Sequence, residues 1–340
     1  MSAFRIMSIC ILVIVVFSGG FAQAQDYKFF QDVGTTADEI GRSICIAQDG
    51  GFLIGGWYET SPTDTDYLLM KNDIAGIPEW GFRFGWSGRD YLVKIIKTSN
   101  NEFLGVANTD SFANDGVYVF RFSSSGSFIW RVLLDAGPDY DFLARNICET
   151  GDGGIGITGQ RGSRGFVLKL DSSGNLLWSK TLAPGDGSEG HGIMGYDTSG
   201  NLLVTGSLTS GVPVVIDGLL ALFNSSGDVI ASTTYDSGEY ETIRKVFLPS
   251  SRADLIAAGT RNVSGNNNIF LMGLDASGSV DWALELEDHG NDQMSALLPT
   301  NNGDFVIVGD QAFAKVACFN STGAVNWVRT IYSANFDDVQ

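Results

Sequence analysis

The sequence predicts an all-β chain folded as a β-propeller of four-stranded blades. Three observations carry that expectation: a unit recurring about every 50 residues, strands that are almost continuously apolar, and turns rich in Gly, Asn and Asp. The recurring signature is a polar turn ending in Gly, with Trp four residues later. It occurs at Gly76/Trp80, Gly126/Trp130, Gly174/Trp178, Gly278/Trp282 and Gly323/Trp327, and in the copy at Gly227 the Trp is replaced by Ala231. Successive glycines lie 50, 48, 53, 51 and 45 residues apart, a spacing too regular for a sandwich of unrelated hairpins.

Within each unit the elements follow in a fixed order, here lettered a to d. The second strand opens at 52–56, 103–107, 155–159, 202–206, 255–259 and 305–309, after turns such as Gln48-Asp49-Gly50-Gly51 that tolerate positive φ. A third strand follows, as in Phe166-Val167-Leu168-Lys169-Leu170, with apolar residues at nearly every position. Such runs are expected where both faces of a sheet are covered. The Gly-Trp hairpin then leads into the fourth strand. Six units result, at about 37–85, 86–135, 136–183, 184–236, 237–287 and 288–333, in a single propeller domain spanning 25–340. A lone d-like strand near 27–33 precedes them, and 334–340 repeats the start of an a strand. Closing a ring with first and last strands in one blade removes exposed edges. The natural form is therefore expected to have seven blades, with roughly 35 to 40 further residues.

Residues 1–24 read as a signal peptide: Arg5, an apolar run from Ile9 to Phe17, helix-breaking Ser18-Gly19-Gly20, then Ala22-Gln23-Ala24 before the cleavage point. The run is too short for a membrane span, which needs about 18 or more apolar residues. An exported protein, secreted, periplasmic or held at the cell surface, is expected. The chain carries 39 acidic and 21 basic residues, net −18, and such a surface repels phosphate, so nucleic acid is excluded as a partner. Beyond residue 24, Cys45, Cys148 and Cys318 remain, an odd number that describes no disulfide framework. The similar flanks Arg42-Ser43-Ile44-Cys45 and Arg145-Asn146-Ile147-Cys148 suggest one repeated, buried position.

The segments Asp49-Gly50-Gly51-Phe52-Leu53-Ile54-Gly55-Gly56 and Gly165-Phe166-Val167-Leu168-Lys169-Leu170-Asp171-Ser172-Ser173-Gly174-Asn175-Leu176-Leu177-Trp178 resemble secreted bacterial β-propeller repeats (SBBP-like). The Gly-x-x-x-Trp hairpin is also similar to quinoprotein-type propeller repeats. The resemblance implies a fold for essentially the whole mature chain and says little of function, because propellers host unrelated activities.

Two features bear on function. The b–c connections vary, at 59–66, 108–116, 160–165, 207–218, 260–268 and 310–312, whereas the a–b and c–d turns are uniform. In a propeller the b–c and d–a loops share one face, which makes that face the candidate for binding. An acid also recurs ten or eleven residues after each Trp position: Asp90, Asp141, Glu189, Glu241, Asp292 and Asp338, with Asp38 matching them after Tyr27. Asp38, Asp90, Asp141, Glu189, Glu241 and Asp292 are thus the candidate ligand-binding residues, a ring of carboxylates attracting a cation or basic ligand. Each acid serves equally well as an acceptor for backbone N–H groups in its own loop. No cofactor is expected, Ca²⁺ being the one ion such oxygens would suit. His191 and His289 fall near d–a loops without a nucleophile motif and read as surface loop residues. The expected function is non-enzymatic binding or scaffolding toward a protein or glycan at the cell surface. A glycan-active or quinoprotein-like enzyme using the acids, and a structural spacer of a larger surface protein, are the competing readings.

Overall fold

The computed structural model of the chain describes residues 39–110, 116–135, 142–183, 187–210, 215–249, 255–275, 278–286, 293–300, 302–310 and 314–331. The expected signal peptide at 1–24, the d-like strand expected near 27–33 and the partial repeat expected at 334–340 lie outside the described residues, as do Asp38, Asp141, Asp292, Asp338 and His289. The chain divides into two compact units, residues 1–149 with 153–179 and residues 150–152 with 180–340.

The first unit holds β1 (Glu39–Ile46), β2 (Phe52–Ser61), β3 (Asp64–Asn72), β4 (Pro78–Phe84), β5 (Asp90–Lys97), β6 (Phe103–Thr109), β7 (Gly116–Phe122), β8 (Phe128–Asp135), β9 (Phe142–Glu149), β10 (Ile155–Arg161), β11 (Arg164–Leu170) and β12 (Leu176–Thr181). The second holds β13 (Ser188–Gly195), β14 (Leu202–Ser210), β15 (Val215–Phe223), β16 (Val229–Tyr235), β17 (Tyr240–Phe247), β18 (Leu255–Val263), β19 (Asn266–Leu274), β20 (Val280–Leu286), β21 (Gln293–Pro299), β22 (Phe305–Asp310), β23 (Ala314–Phe319) and β24 (Val325–Ile331). They form six four-stranded antiparallel sheets, each a meander in chain order, which are the blades of a β-propeller.

The second strand of every blade starts where the apolar pattern places it, and all seven residues of the third strand β7 are buried. Cores form between successive blades of one unit. Leu53, Tyr67, Leu69 and Phe103 join the first two sheets, and Ile256, Leu271, Phe305 and Phe319 join the last two.

Each a strand carries a β-bulge, between Gly41 and Ser43 in β1 and at the matching place in every other blade. The bulge explains the Gly that ends the b-strand motif. A Cβ on Gly206 would stand 1.9 Å from the Glu189 carbonyl oxygen, and one on Gly259 1.9 Å from that of Thr242. Backbone occupies the space a side chain would need.

Successive blades are fastened by the repeated Trp. Trp80 donates its ring N–H to the Ser124 carbonyl at 3.2 Å, and Trp130 donates to that of Ser172 at 3.0 Å, so each ring reaches the c–d turn of the next blade. Gly174 in that turn has φ +87°, and a Cβ there would lie 2.9 Å from the Trp130 ring. The missing Trp at Ala231 is compensated from the same strand: the Tyr235 hydroxyl donates to the Gly278 carbonyl in the next c–d turn.

The variable b–c segments are largely strand rather than loop. β2 and β3 extend to a two-residue turn at Pro62-Thr63, and β18 and β19 to Ser264-Gly265, whose φ values of +52° and +90° suit a tight hairpin. The blades therefore differ chiefly in hairpin height, from ten residues in β2 to six in β22.

Candidate functional site

In the first unit the face expected to bind is built by hydrogen bonds between two successive blades. The d–a loop at 85–89 receives the Thr65 N–H on the Gly88 carbonyl at 2.9 Å and returns the Gly88 N–H to Asp64 Oδ1 at 2.8 Å. On the other side, the Asp110 N–H reaches the Arg89 carbonyl at 3.0 Å, and the Arg89 N–H donates to the Asp110 carboxylate. The hairpin of one blade, the connecting loop and the hairpin of the next thus form one continuous edge. Trp86 lies on it, 37% exposed, its ring edge-on to Tyr118. In the second unit the Thr209 N–H similarly bonds the Gly187 carbonyl at 2.7 Å.

Three of the recurring acids are described, each at the start of an a strand. Asp90 opens β5 and is fully buried, its carboxylate accepting the Trp86 N–H at 2.7 Å. Its backbone is held by the Thr65 hydroxyl, and its charge adds to the burial that raises the Tyr67 phenol far above the usual range. Glu189, second in β13, lies 3.2 Å from His191 Nε2. His191 is not a surface loop residue. It is the extra residue of the β13 bulge, its side chain only 9% exposed, because the bulge turns it back toward Glu189. Glu241, second in β17, is buried, accepts a hydrogen bond from the Ser237 hydroxyl, and lies 3.4 Å from Arg261 Nε.

Among the described residues, the carboxylates that converge as cation ligands would are Asp217, Asp236 and Glu241, with one oxygen of each within 4.8 Å of the others. Asp217 and Asp236 escape a search by spacing from Trp, since Asp217 sits in the third strand of its blade. The readable signal is a repeat of 151 residues: Asp66 in β3 precedes Tyr67, which pairs Phe84, as Asp217 precedes Gly218, which pairs Tyr235. Burial raises the pKa of both Asp217 and Glu241, and the neighbouring Asp236 charge adds to it.

Cys45 and Cys148 share one repeated position, as their flanks predict, but each is partly buried rather than fully so. Cys45 and Cys148 each oppose the second residue of a b strand, and burial pushes both thiols up to about 12. A further recurrent feature carries no mark in the turn and Trp pattern of the sequence. Lys71, Arg121 and Lys169 take one position on the third strands of the first unit, and all three are buried. Lys71 bonds Asp49 at 2.9 Å and Glu79 at 2.7 Å, and Arg121 donates to the Ser172 carbonyl at 3.0 Å. In the second unit the place is held by Leu222, Gly273 and Cys318.

A family model described as outer membrane protein assembly factor BamB matches residues 163–339, just over half of the chain. None of the curated proteins matches. A solved structure of the Dos1 propeller aligns with 88% of this chain and 73% of its own, at 14% identity and a TM-score of 0.54. Raptor of Chaetomium thermophilum aligns with 85% of this chain at 9% identity and a TM-score of 0.57, the match covering 24% of Raptor. These likenesses are of fold.

Proposed function

From a chain that belongs to the PQQ_2 family of propeller repeats, described as outer membrane protein assembly factor BamB, we infer an exported, non-enzymatic propeller that presents its b–c hairpins and d–a loops to a protein or glycan partner at the cell surface. The observation that carries this reading is the bonded edge of the first unit, where Asp64, Gly88, Arg89 and Asp110 lock two hairpins and a loop together. A rigid edge whose hairpins differ in height from blade to blade suits recognition, because little ordering entropy is lost on binding. Two of the described acids support the same reading, since Asp90 and Glu189 each engage groups of their own loop or strand.

The test is affinity capture with the purified chain from the outer surface of the source cells. It is run beside a Trp86→Ala variant and a variant with 262–267 shortened to an Asn-Gly turn. The expected result is one partner enriched by the parent chain and lost from at least one variant, then confirmed by binding of the purified pair. Equal capture by all three chains, or none by the parent, would overturn the proposal.

A further inference from the structure

We propose that Asp217, Asp236 and Glu241 form a Ca²⁺ site within the second unit, where the third strand and d–a loop of one blade meet the first strand of the next. One oxygen from each carboxylate lies within 4.8 Å of the others. Three oxygens so placed have a point within about 2.8 Å of each, close to the 2.3–2.6 Å at which Ca²⁺ takes oxygen ligands, so a small adjustment lets a single ion reach all three. The donors are all hard oxygens, without the imidazole or thiolate that would favour zinc or copper.

The second observation is an absence of donors. Glu241 is only 4% exposed, yet its Oε2 has no hydrogen-bond partner among the described residues, and the Asp217 Oδ1 atom is likewise buried and unpartnered there. Buried carboxylate oxygens without donors are costly and uncommon in folded proteins. The cation paired with Glu241 does not resolve this. Arg261 Nε stands 3.4 Å from Glu241 Oε1, outside hydrogen-bonding geometry, and its Nη1 is engaged by Glu285 at 2.9 Å. One guanidinium is thus shared by Glu241 and Glu285, while Asp217 and Asp236 bring two further carboxylates beside Glu241, and the excess negative charge calls for a further positive one.

The corresponding place in the first unit acts as an internal control. There Asp66 and Asp90 match Asp217 and Glu241, but Gly85 stands where the second unit has Asp236. Asp90 is satisfied by the Trp86 N–H at 2.7 Å, and a Cβ on Gly85 would already lie 2.2 Å from Asp66 Oδ1. Glu241 accepts from Ser237 at the place of Trp86, so the two arrangements share that donor. The second adds a third carboxylate and leaves two oxygens open. Asp236 is exposed, which gives an ion an entry path and leaves room for water ligands.

The experiment uses the full chain, stripped with a chelator and titrated separately with CaCl₂ and MgCl₂. Heat of binding and the thermal midpoint are recorded, with Tb³⁺ luminescence excited through Tyr235 and Tyr240 as a second readout. The expected result is saturable 1:1 Ca²⁺ binding that raises the midpoint, with Mg²⁺ weaker. Asp217→Asn should lower Ca²⁺ affinity about tenfold or more, as loss of one ligand charge does. Asp236→Gly, which recreates the first-unit arrangement at an exposed position, should do the same while keeping the far-ultraviolet spectrum. No response to Ca²⁺, tighter binding of Mg²⁺, or unchanged affinity in folded Asp236→Gly would overturn the proposal.

Discussion

The joint between Trp130 and the next c–d turn can be tested by adding a single methyl group. Gly174→Ala places a Cβ 2.9 Å from the Trp130 ring and forces an L side chain to adopt φ +87°. The left-handed conformation alone costs about 1–2 kcal/mol. Displacing the ring adds about 1–3 kcal/mol of overpacking, and strains the 3.0 Å bond to Ser172, worth about 0.5–1.5 kcal/mol. Gly153→Ala separates the two contributions: its φ is +78°, and nothing lies within 4 Å of its Cβ. It should cost only the conformational part, about 1–2 kcal/mol. The assay is urea denaturation followed by far-ultraviolet circular dichroism, which a Trp substitution leaves readable. In a Trp130→Ala background the extra cost of Gly174→Ala should vanish, leaving a penalty like that of Gly153→Ala. If Gly174→Ala is no worse than Gly153→Ala, or its extra cost survives without the ring, the joint is not what holds that turn.

Further expectations follow from the same geometry. With their thiols raised to about 12 by burial, Cys45 and Cys148 should react with an aromatic disulfide at pH 8 only after denaturant is added, in a chain beginning at residue 25. Asp171 is held below the ordinary carboxylate range by the Asn175 side chain, then by the backbone N–H groups of its turn. Its contribution is therefore present above the unfolded pKa, near 4, and lost as pH falls through the lower folded value. Asp171→Asn keeps an acceptor, as Asn224 and Asn320 do in their turns, but loses the charge, and should lower the urea midpoint slightly at pH 7 while reducing its fall in acid. Lys71→Met should cost about 1–3 kcal/mol in the same urea assay, less than breaking a fully buried pair, because the Asp49 and Glu79 side chains are 58% and 44% exposed and can rehydrate.

Much of this molecule is legible one-dimensionally because a blade is a local object. Continuous apolar runs, turn residues and the Gly-Trp interval all lie within one unit, so the strands and the c–d turns follow from pattern. What escapes the pattern depends on pairing between strands or blades. Tyr235 covers for Ala231 only because its strand aims it at the next turn. Asp217 meets Glu241 through the register of β15 against β16 and the packing of the next blade, and no interval measured from Trp relates them. His191 reads as a loop residue because it follows the d–a connection closely, and only the bulge in the strand pairing shows that it belongs to β13. Lys169 looks like an ordinary polar interruption in an apolar run, yet it is buried, as Lys71 and Arg121 are.

The Trp joint also bears on how such a chain can lengthen. Its two halves, an indole donor on the fourth strand and an accepting carbonyl in the c–d turn, are encoded in the same repeat, although they engage neighbouring blades. A tandem duplication of one unit therefore inherits a complete plug and socket at each new junction, without waiting for a compensating substitution. Heredity and mechanical fastening coincide in one segment of about 50 residues, and copy number can drift while every seam remains familiar.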